Sequence, residues 1–498
     1  MNNKQVRPSP STDSKQGDSV MEIEKIPVKE VITVSNTIDE ALVNQQLSKH
    51  LHALSKKIVV LDDDPTGVQT VHGVSVYTDW SVESLEEGFS ENNTMFFILT
   101  NSRSFTSEET IKVHREIATN LLKVSKKLNR DFIIVSRGDS TLRGHYPLET
   151  EVLRETLEAN SAIKVDGEIL FPFFKEGGRF TLNNIHYVQE GEFLVPAGET
   201  EFAKDKTFGY NHSHLGSYIE EKTMGRFKAD ETVYISLESI RSFDIEGITA
   251  QLLEVDSFNK VVVNALEYTD VKVFTIALLK AMEQGKRFLF RTAASFTKVI
   301  GGVSDKGLLT KEDLIKKDDH HGGLVIVGSH VKKTTEQLKE LKKCGFMEFV
   351  EFNQHLVLNP PELEKEVLRV IGLCEKYIAA GQTIAVYTRR DRLDLGAGNK
   401  EEELKIAVRI SDAVTSTVKR LGIRPAYVVA KGGITSSDIG TKGLGVKRSV
   451  VAGQIKPGIP VWITGNESKF PGIPYIIFPG NVGTKTTLRE VVEILNYK

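Results

Sequence analysis

Two polar clusters, each directly following an apolar run, carry most of the chemistry this 498-residue chain could perform. The first is Asp62-Asp63-Asp64-Pro65-Thr66-Gly67, after Lys57-Ile58-Val59-Val60-Leu61. The second is Ser136-Arg137-Gly138-Asp139-Ser140-Thr141-Leu142-Arg143-Gly144-His145, after Phe132-Ile133-Ile134-Val135. Adjacent carboxylates repel one another unless a cation, a guanidinium or hydroxyl donors neutralise them. An aspartate beside a hydroxyl can accept its proton as that oxygen attacks an electrophile. Asp64, Asp63 and Asp139, in that order, are the candidates for that role. Arg143 offers a planar fork suited to a small carboxylate, and Ser140 and Thr141 can bond hydroxyls or cap a helix. Asn101-Ser102-Arg103 follows a third apolar run, Met95 to Thr100, and supplies another guanidinium. Arg103 could equally be a surface residue paired with Glu108 or Glu109. His145 reads as structural, since transfer to an alcohol does not require it.

Glycine-bearing strand ends form a second kind of site. Lys431-Gly432-Gly433-Ile434-Thr435-Ser436-Ser437-Asp438 follows the apolar run Tyr427 to Ala430 and opens a helix. Glycines there let backbone approach a phosphate closely. The same pattern also suits a tight turn in which Thr435 or Ser436 is merely a cap. Val327-Gly328-Ser329-His330 and Pro479-Gly480-Asn481-Val482-Gly483-Thr484 are two more ends of this type. The chain has no GxxxxGK[ST] run, which excludes a Walker-type nucleotide loop.

The elements that must hold these clusters alternate between strand and helix. Apolar runs bounded by turns predict strands at 58–61, 74–78, 95–100, 132–135, 168–171, 233–237, 261–263 and 287–290. Capping boxes start helices at Thr37-Ile38-Asp39-Glu40 and at Thr106 with Glu109. Periodicity lapses over 301–321, which reads as a solvated linker, and Asp318-Asp319-His320-His321 is read as part of it rather than as a metal site. A second block then predicts strands at 324–327, 348–352, 383–387, 426–430, 461–464 and 475–478, with helices at 335–343, 362–380 and 401–421. Such alternation implies an α/β protein of two domains, each a mostly parallel sheet with helices on both faces and a cleft between them. The expected division is a leader and lead-in helix (1–54), an acid-binding domain (55–300), the linker and a nucleotide-binding domain (322–498).

Taken together, the Asp62 and Ser136 clusters resemble the four-carbon acid sugar kinase family. The resemblance continues through Gly178-Arg179-Phe180-Thr181, Glu199 to Asp205, Gly328-Ser329 with Thr334 and Gln337, Gly432 to Ser436, and Pro479 to Gly483. It covers nearly everything from Lys57 to the C-terminus. It implies an ATP- and Mg2+-dependent transfer to the terminal hydroxyl of threonate, erythronate or a 3-oxo relative. By resemblance the substrate site comprises Asp63, Arg103, Arg137, Asp139, Ser140, Thr141 and Arg143. The ATP site comprises Ser329, Gly432, Gly433, Ile434, Thr435, Gly480, Asn481 and Gly483. Many relatives carry an acid where this chain has Ile434.

Composition is that of an ordinary globular protein, 40% hydrophobic and 26% charged, and a net charge of −3 gives no electrostatic case for nucleic acid or an anionic membrane. Two cysteines, Cys344 and Cys374, preclude a disulfide framework or a zinc pattern and fit a reducing compartment. Residues 1–18 lack the apolar core of a secretory signal and read as a disordered leader, so the cytoplasm is expected. Homo-oligomerisation is left open. Two other functions compete: an NAD(P)-dependent oxidoreductase, for which Gly443-Leu444-Gly445-Val446-Lys447-Arg448 imitates part of a dinucleotide fingerprint, and a non-catalytic sugar-acid sensor.

Overall fold

The computed structural model describes residues 24–32, 38–391, 393, 400–480 and 482–496. The expected leader, Thr37 and Asn481 lie outside these residues. Eight strands of the first block pair in parallel, in the order Val233–Ile235, Asn259–Val263, Gly167–Phe171, Phe288–Thr292, Phe132–Arg137, Lys57–Asp62, Met95–Leu99 and Ser75–Tyr77. Five parallel strands of the second block follow the order Pro474–Phe478, Val428–Lys431, Leu324–Val327, Thr383–Thr388 and Met347–Phe352.

Helices cover both faces of each sheet, which is why the strands read as continuous apolar runs. In the strand Lys57–Asp62, Ile58 and Val60 pack in the same cluster as Val43 and Leu47 of the helix Glu40–Ala53 and the helix Tyr268–Glu283. Val59 and Leu61 face the other way, toward Ile117, Leu121 and Val124 of the helix Ser107–Leu128. That helix starts at the expected Thr106–Glu109 capping box. The first helix is instead capped by Asp39, whose carboxylate accepts from the N–H groups of Ala41 and Leu42.

Four features depart from the expectation. The two blocks are not separate sheets: an antiparallel hairpin, Arg448–Lys456 with Ile459–Thr464, joins them edge to edge into one fifteen-stranded sheet. Its outer strand pairs Arg448, Ser449 and Val450 with Tyr77, Val76 and Ser75. A small antiparallel sheet, Ile26–Pro27 with Phe193–Pro196, Ile185–Glu190 and Arg179–Leu182, stands apart. The strand expected over 233–237 ends at Ile235, where Ser236 caps the helix Leu237–Arg241. The segment read as a solvated linker is pinned by Leu309 and Leu314, both buried in the second block's core. Within it, Asp319 pairs with Arg424 at 2.5 Å and accepts from the His321 N–H.

Candidate active site

The carboxyl ends of the first block's strands bring together groups distant in sequence, where parallel α/β sheets bind ligands. Asp62, Asp63 and Asp64 leave the strand Lys57–Asp62 in three directions. Asp62 turns inward, accepting from Arg137 Nη1 at 3.2 Å, and burial pushes its carboxyl up to about 7 despite that arginine. A Cβ on Gly67 would stand 2.0 Å from both Asp62 carboxylate oxygens, so any larger residue there must displace that buried carboxylate. Asp63 is 2% exposed and accepts from Arg103 Nη2 at 2.5 Å. Asp64 reaches the cleft. Burial opposes its charge, but Arg103 and the hydroxyl and N–H of Thr66 outweigh burial and hold it below the usual carboxylate range.

Loop 139–143 is fixed by its own carbonyls. Four consecutive ones are each taken by a side chain from elsewhere: Ser140 by His186 (2.8 Å), Thr141 by Tyr210 (2.8 Å), Leu142 by Tyr218 (2.8 Å) and Arg143 by Arg291 (3.2 Å). Buried carbonyls left unpaired are costly, so these bonds define the loop's path, including the left-handed Leu142 at φ 67°. Asp139 and Arg143 project into the cleft bonded to each other at 2.7 Å. Burial works against the Asp139 charge, yet Arg103 and Arg143 hold it far below the usual range. Arg143 also lies over the Phe202 ring at 5.0 Å. Behind the loop, buried Glu149 ties Ser102 (2.6 Å) and Arg291 (2.5 Å) together. His145 donates from Nε2 to the Phe105 carbonyl, 3.0 Å away, and not to the acids.

In the second block the three glycine-bearing ends converge. Gly432 has φ 121°, a conformation open to glycine, and precedes the helix Gly433–Asp438. Buried Lys431 binds the carbonyls of Pro479 (2.5 Å) and Gly480 (3.1 Å), while Thr334 reaches Gly480 and Gln337 reaches Val482 and Thr484. Burial pulls the Lys431 amine down to about 7. Ser329, Gly432, Gly433, Ile434 and Thr435 line a cavity of 950 Å³ whose other wall is apolar: Leu393, Ile406, Ile410 and Val414. Gly483 lines neither cavity described here; it packs on Thr487.

A second cavity of 260 Å³ lies between the blocks. Asp64, Arg103, Arg137, Asp139, Ser140, Thr141 and Arg143 line it from one side, and Gly433, Gly458, Pro479 and Gly480 from the other. Gly433 borders both cavities, and Asp64 Oδ2 lies 3.8 Å from where a Cβ on Gly433 would stand. Asp63 is not among the lining residues; its role here is to hold Arg103. Residues not picked out in the sequence also line the cavity: Gln69, Glu176, Arg179 and Phe202. Arg179 and Phe202 sat in motifs that marked the family resemblance, but their meeting at the cleft depends on the small antiparallel sheet. Gly443 and Gly445 precede the strand Arg448–Lys456 rather than following one, so that run is no dinucleotide loop.

The architecture defines a two-domain α/β protein with one cavity in its second block and another between the blocks. Residues 58–300 match the sugar-binding N-terminal domain model and 324–488 the nucleotide-binding C-terminal domain model. The chain belongs to the four-carbon acid sugar kinase family. It is 22% identical over 380 residues to a D-erythronate kinase of Heliobacterium modesticaldum, covering 73% of this chain and 79% of that one. Two solved structures share the fold. One is Haemophilus influenzae protein HI1011 (TM-score 0.57, 16% identity, covering 88% of this chain and 100% of that one). The other is a Salmonella typhimurium LT2 protein provisionally described as a tRNA synthase (TM-score 0.61, 14% identity, 88% and 98%). At such identity these two speak to fold alone. Among the described residues no helix is long and apolar enough to cross a membrane.

Proposed function

We propose that this chain is an ATP-dependent kinase that phosphorylates the terminal hydroxyl of a four-carbon sugar acid of the threonate, erythronate or 3-oxo-tetronate type. The observation that carries this reading is the junction at Gly433. A carboxylate oxygen of Asp64, in the polar cavity, lies 3.8 Å from where a Cβ on Gly433 of the glycine loop would stand. Phosphoryl transfer needs positioning and charge compensation more than covalent chemistry, and the two cavities supply them from opposite sides.

The sugar acid lies in the 260 Å³ cavity, with its hydroxyls on Asp139, Ser140 and Thr141 and its terminal hydroxyl at Asp64. Asp64 is ionised and oriented by Thr66 and Arg103, so it aligns the hydroxyl and takes its proton late as the bond to phosphorus forms. The base of ATP rests on the Ile406–Val414 wall, and its phosphates follow the backbone of Gly432 and Gly433 toward the junction. Mg2+ enters such sites with nucleotide phosphates and one or two carboxylates. Among the described residues no group of three or more histidines, cysteines or acids could hold such an ion alone, so it would arrive with the nucleotide phosphates and offset their charge at the junction.

A coupled ADP-release assay across erythronate, threonate and 3-oxo-tetronate stereoisomers tests the reading. Turnover that depends on one of these acids is expected. Acid-independent ATP hydrolysis, or a thermal shift with NAD(P) and none with ATP, would contradict it.

A further inference from the structure

Four guanidinium groups line the polar cavity, and three are already engaged by the protein. Arg103 binds Asp63 and Asp64, Arg137 binds Asp62, and Arg143 binds Asp139 with Asp205 at 3.8 Å. Arg179 is different. Among the described residues its side chain makes no ion pair and no hydrogen bond, and its Nε is buried without a partner. Its one recorded contact is the Phe202 ring, 5.7 Å from the guanidinium carbon. The backbone leaves it little freedom: Arg179 pairs with Val188 in the small sheet and exchanges both backbone bonds with Phe174. Burial lowers its pKa, opposed chiefly by Asp139. A buried donor without a partner is destabilising, and an unpaired buried charge more so. Such a group persists where a ligand supplies the missing acceptor.

We propose that Arg179, not Arg143, anchors the carboxylate of the sugar acid, with Phe202 as the platform on which its guanidinium is held. This rests on the kinase reading and deepens it. The anchor fixes polarity: carboxylate at Arg179, terminal hydroxyl at Asp64 under the glycine loop. It also explains how a site crowded with aspartates accepts an anion. Arg103, Arg137 and Arg143 neutralise the protein's own acids, and among the described lining residues Arg179 supplies the one uncommitted positive charge. The site therefore selects acids over neutral four-carbon polyols.

The test is calorimetric titration of the full-length protein with erythronate and threonate, and separately with ADP, together with melting curves. Arg179→Met is expected to weaken acid binding about 10–100-fold, the worth of charge-assisted bonds to a carboxylate. ADP affinity stays within twofold, and the melting temperature without ligand holds or rises, because a buried donor without a partner has gone. A residue serving only the fold would lower the melting temperature instead. Arg179→Lys keeps the charge without the fork and should lose at least fivefold, which keeps the test decisive if the methionine variant does not fold. Acid affinity unchanged in either folded variant, with the wild type binding the acid, overturns the anchor and leaves the kinase reading standing. A wild type that binds none of these acids overturns both.

Discussion

His186 gives the substrate loop a pH dependence that can be worked out from its surroundings. It is fully buried on the strand Ile185–Glu190. Its Nε2 lies 2.8 Å from the Ser140 carbonyl, which can only accept, so that nitrogen carries the hydrogen. Nδ1 then accepts from the Thr181 hydroxyl at 3.1 Å. Burial is the main reason its pKa falls to about 4 from the ordinary 6.5. The unfolded chain therefore takes up this proton before the folded one as pH falls. The stability term is complete above about pH 7 and is lost between the unfolded pKa near 6.5 and the folded pKa near 4. Linkage puts the loss at about 2 kcal/mol by pH 5 and about 3 kcal/mol by pH 4. His186→Gln keeps a donor for Ser140 without a titrating ring. Melting temperatures of both proteins at pH 7.5 and 5.0 isolate the term, because all other titrating groups cancel in the comparison. The wild type should lose about 4–8 °C more than the variant. Parallel curves would refute the reasoning.

Asp64→Asn should depress kcat about 10²–10⁴-fold while leaving the KM for ATP nearly unchanged, the worth of a positioned proton acceptor; near-normal turnover at saturating acid removes Asp64 from that role. Gly67→Ala places a methyl 2.0 Å from the Asp62 carboxylate, so thermal unfolding should show a loss of about 1–3 kcal/mol, as overpacking usually does. Lys431→Met unties the carbonyls of Pro479 and Gly480 and should raise the KM for ATP about tenfold, equivalent to about 1.4 kcal/mol. Acid affinity, read by calorimetry, should not move in that variant.

The sheet and the two clusters at its carboxyl edge were legible because parallel strands buried on both faces leave unbroken apolar runs. Polar residues directly after such runs stand at the ligand-binding edge, and Asp64, Asp139 and Gly433 duly meet there. What escaped was set by contacts between residues far apart in sequence. The strand Arg448–Lys456 mixes glycine, charge and alternating burial, and it earns its place by bridging Tyr77 and Trp462 in the joined sheet. His186, Tyr210 and Tyr218 reach loop 139–143, and Arg179 reaches the same cavity, only because the small antiparallel sheet and the helix Leu215–Lys222 fold over it. Asp63 and Asp64 are adjacent, identical in type and both paired with Arg103, yet only Asp64 lines the cavity while Asp63 is buried behind it. No local pattern distinguishes them.

The central claim is that phosphate passes from ATP to the terminal hydroxyl of a four-carbon acid across the Asp64–Gly433 junction. Phosphorus NMR of the reaction of the full-length protein with ATP, Mg2+ and the acid that best supports ADP release tests it directly. The account predicts a new phosphomonoester resonance split by two methylene protons, growing in step with ADP and suppressed in Asp64→Asn. Inorganic phosphate as the sole product, or a phosphorus coupled to a single methine proton, would contradict it.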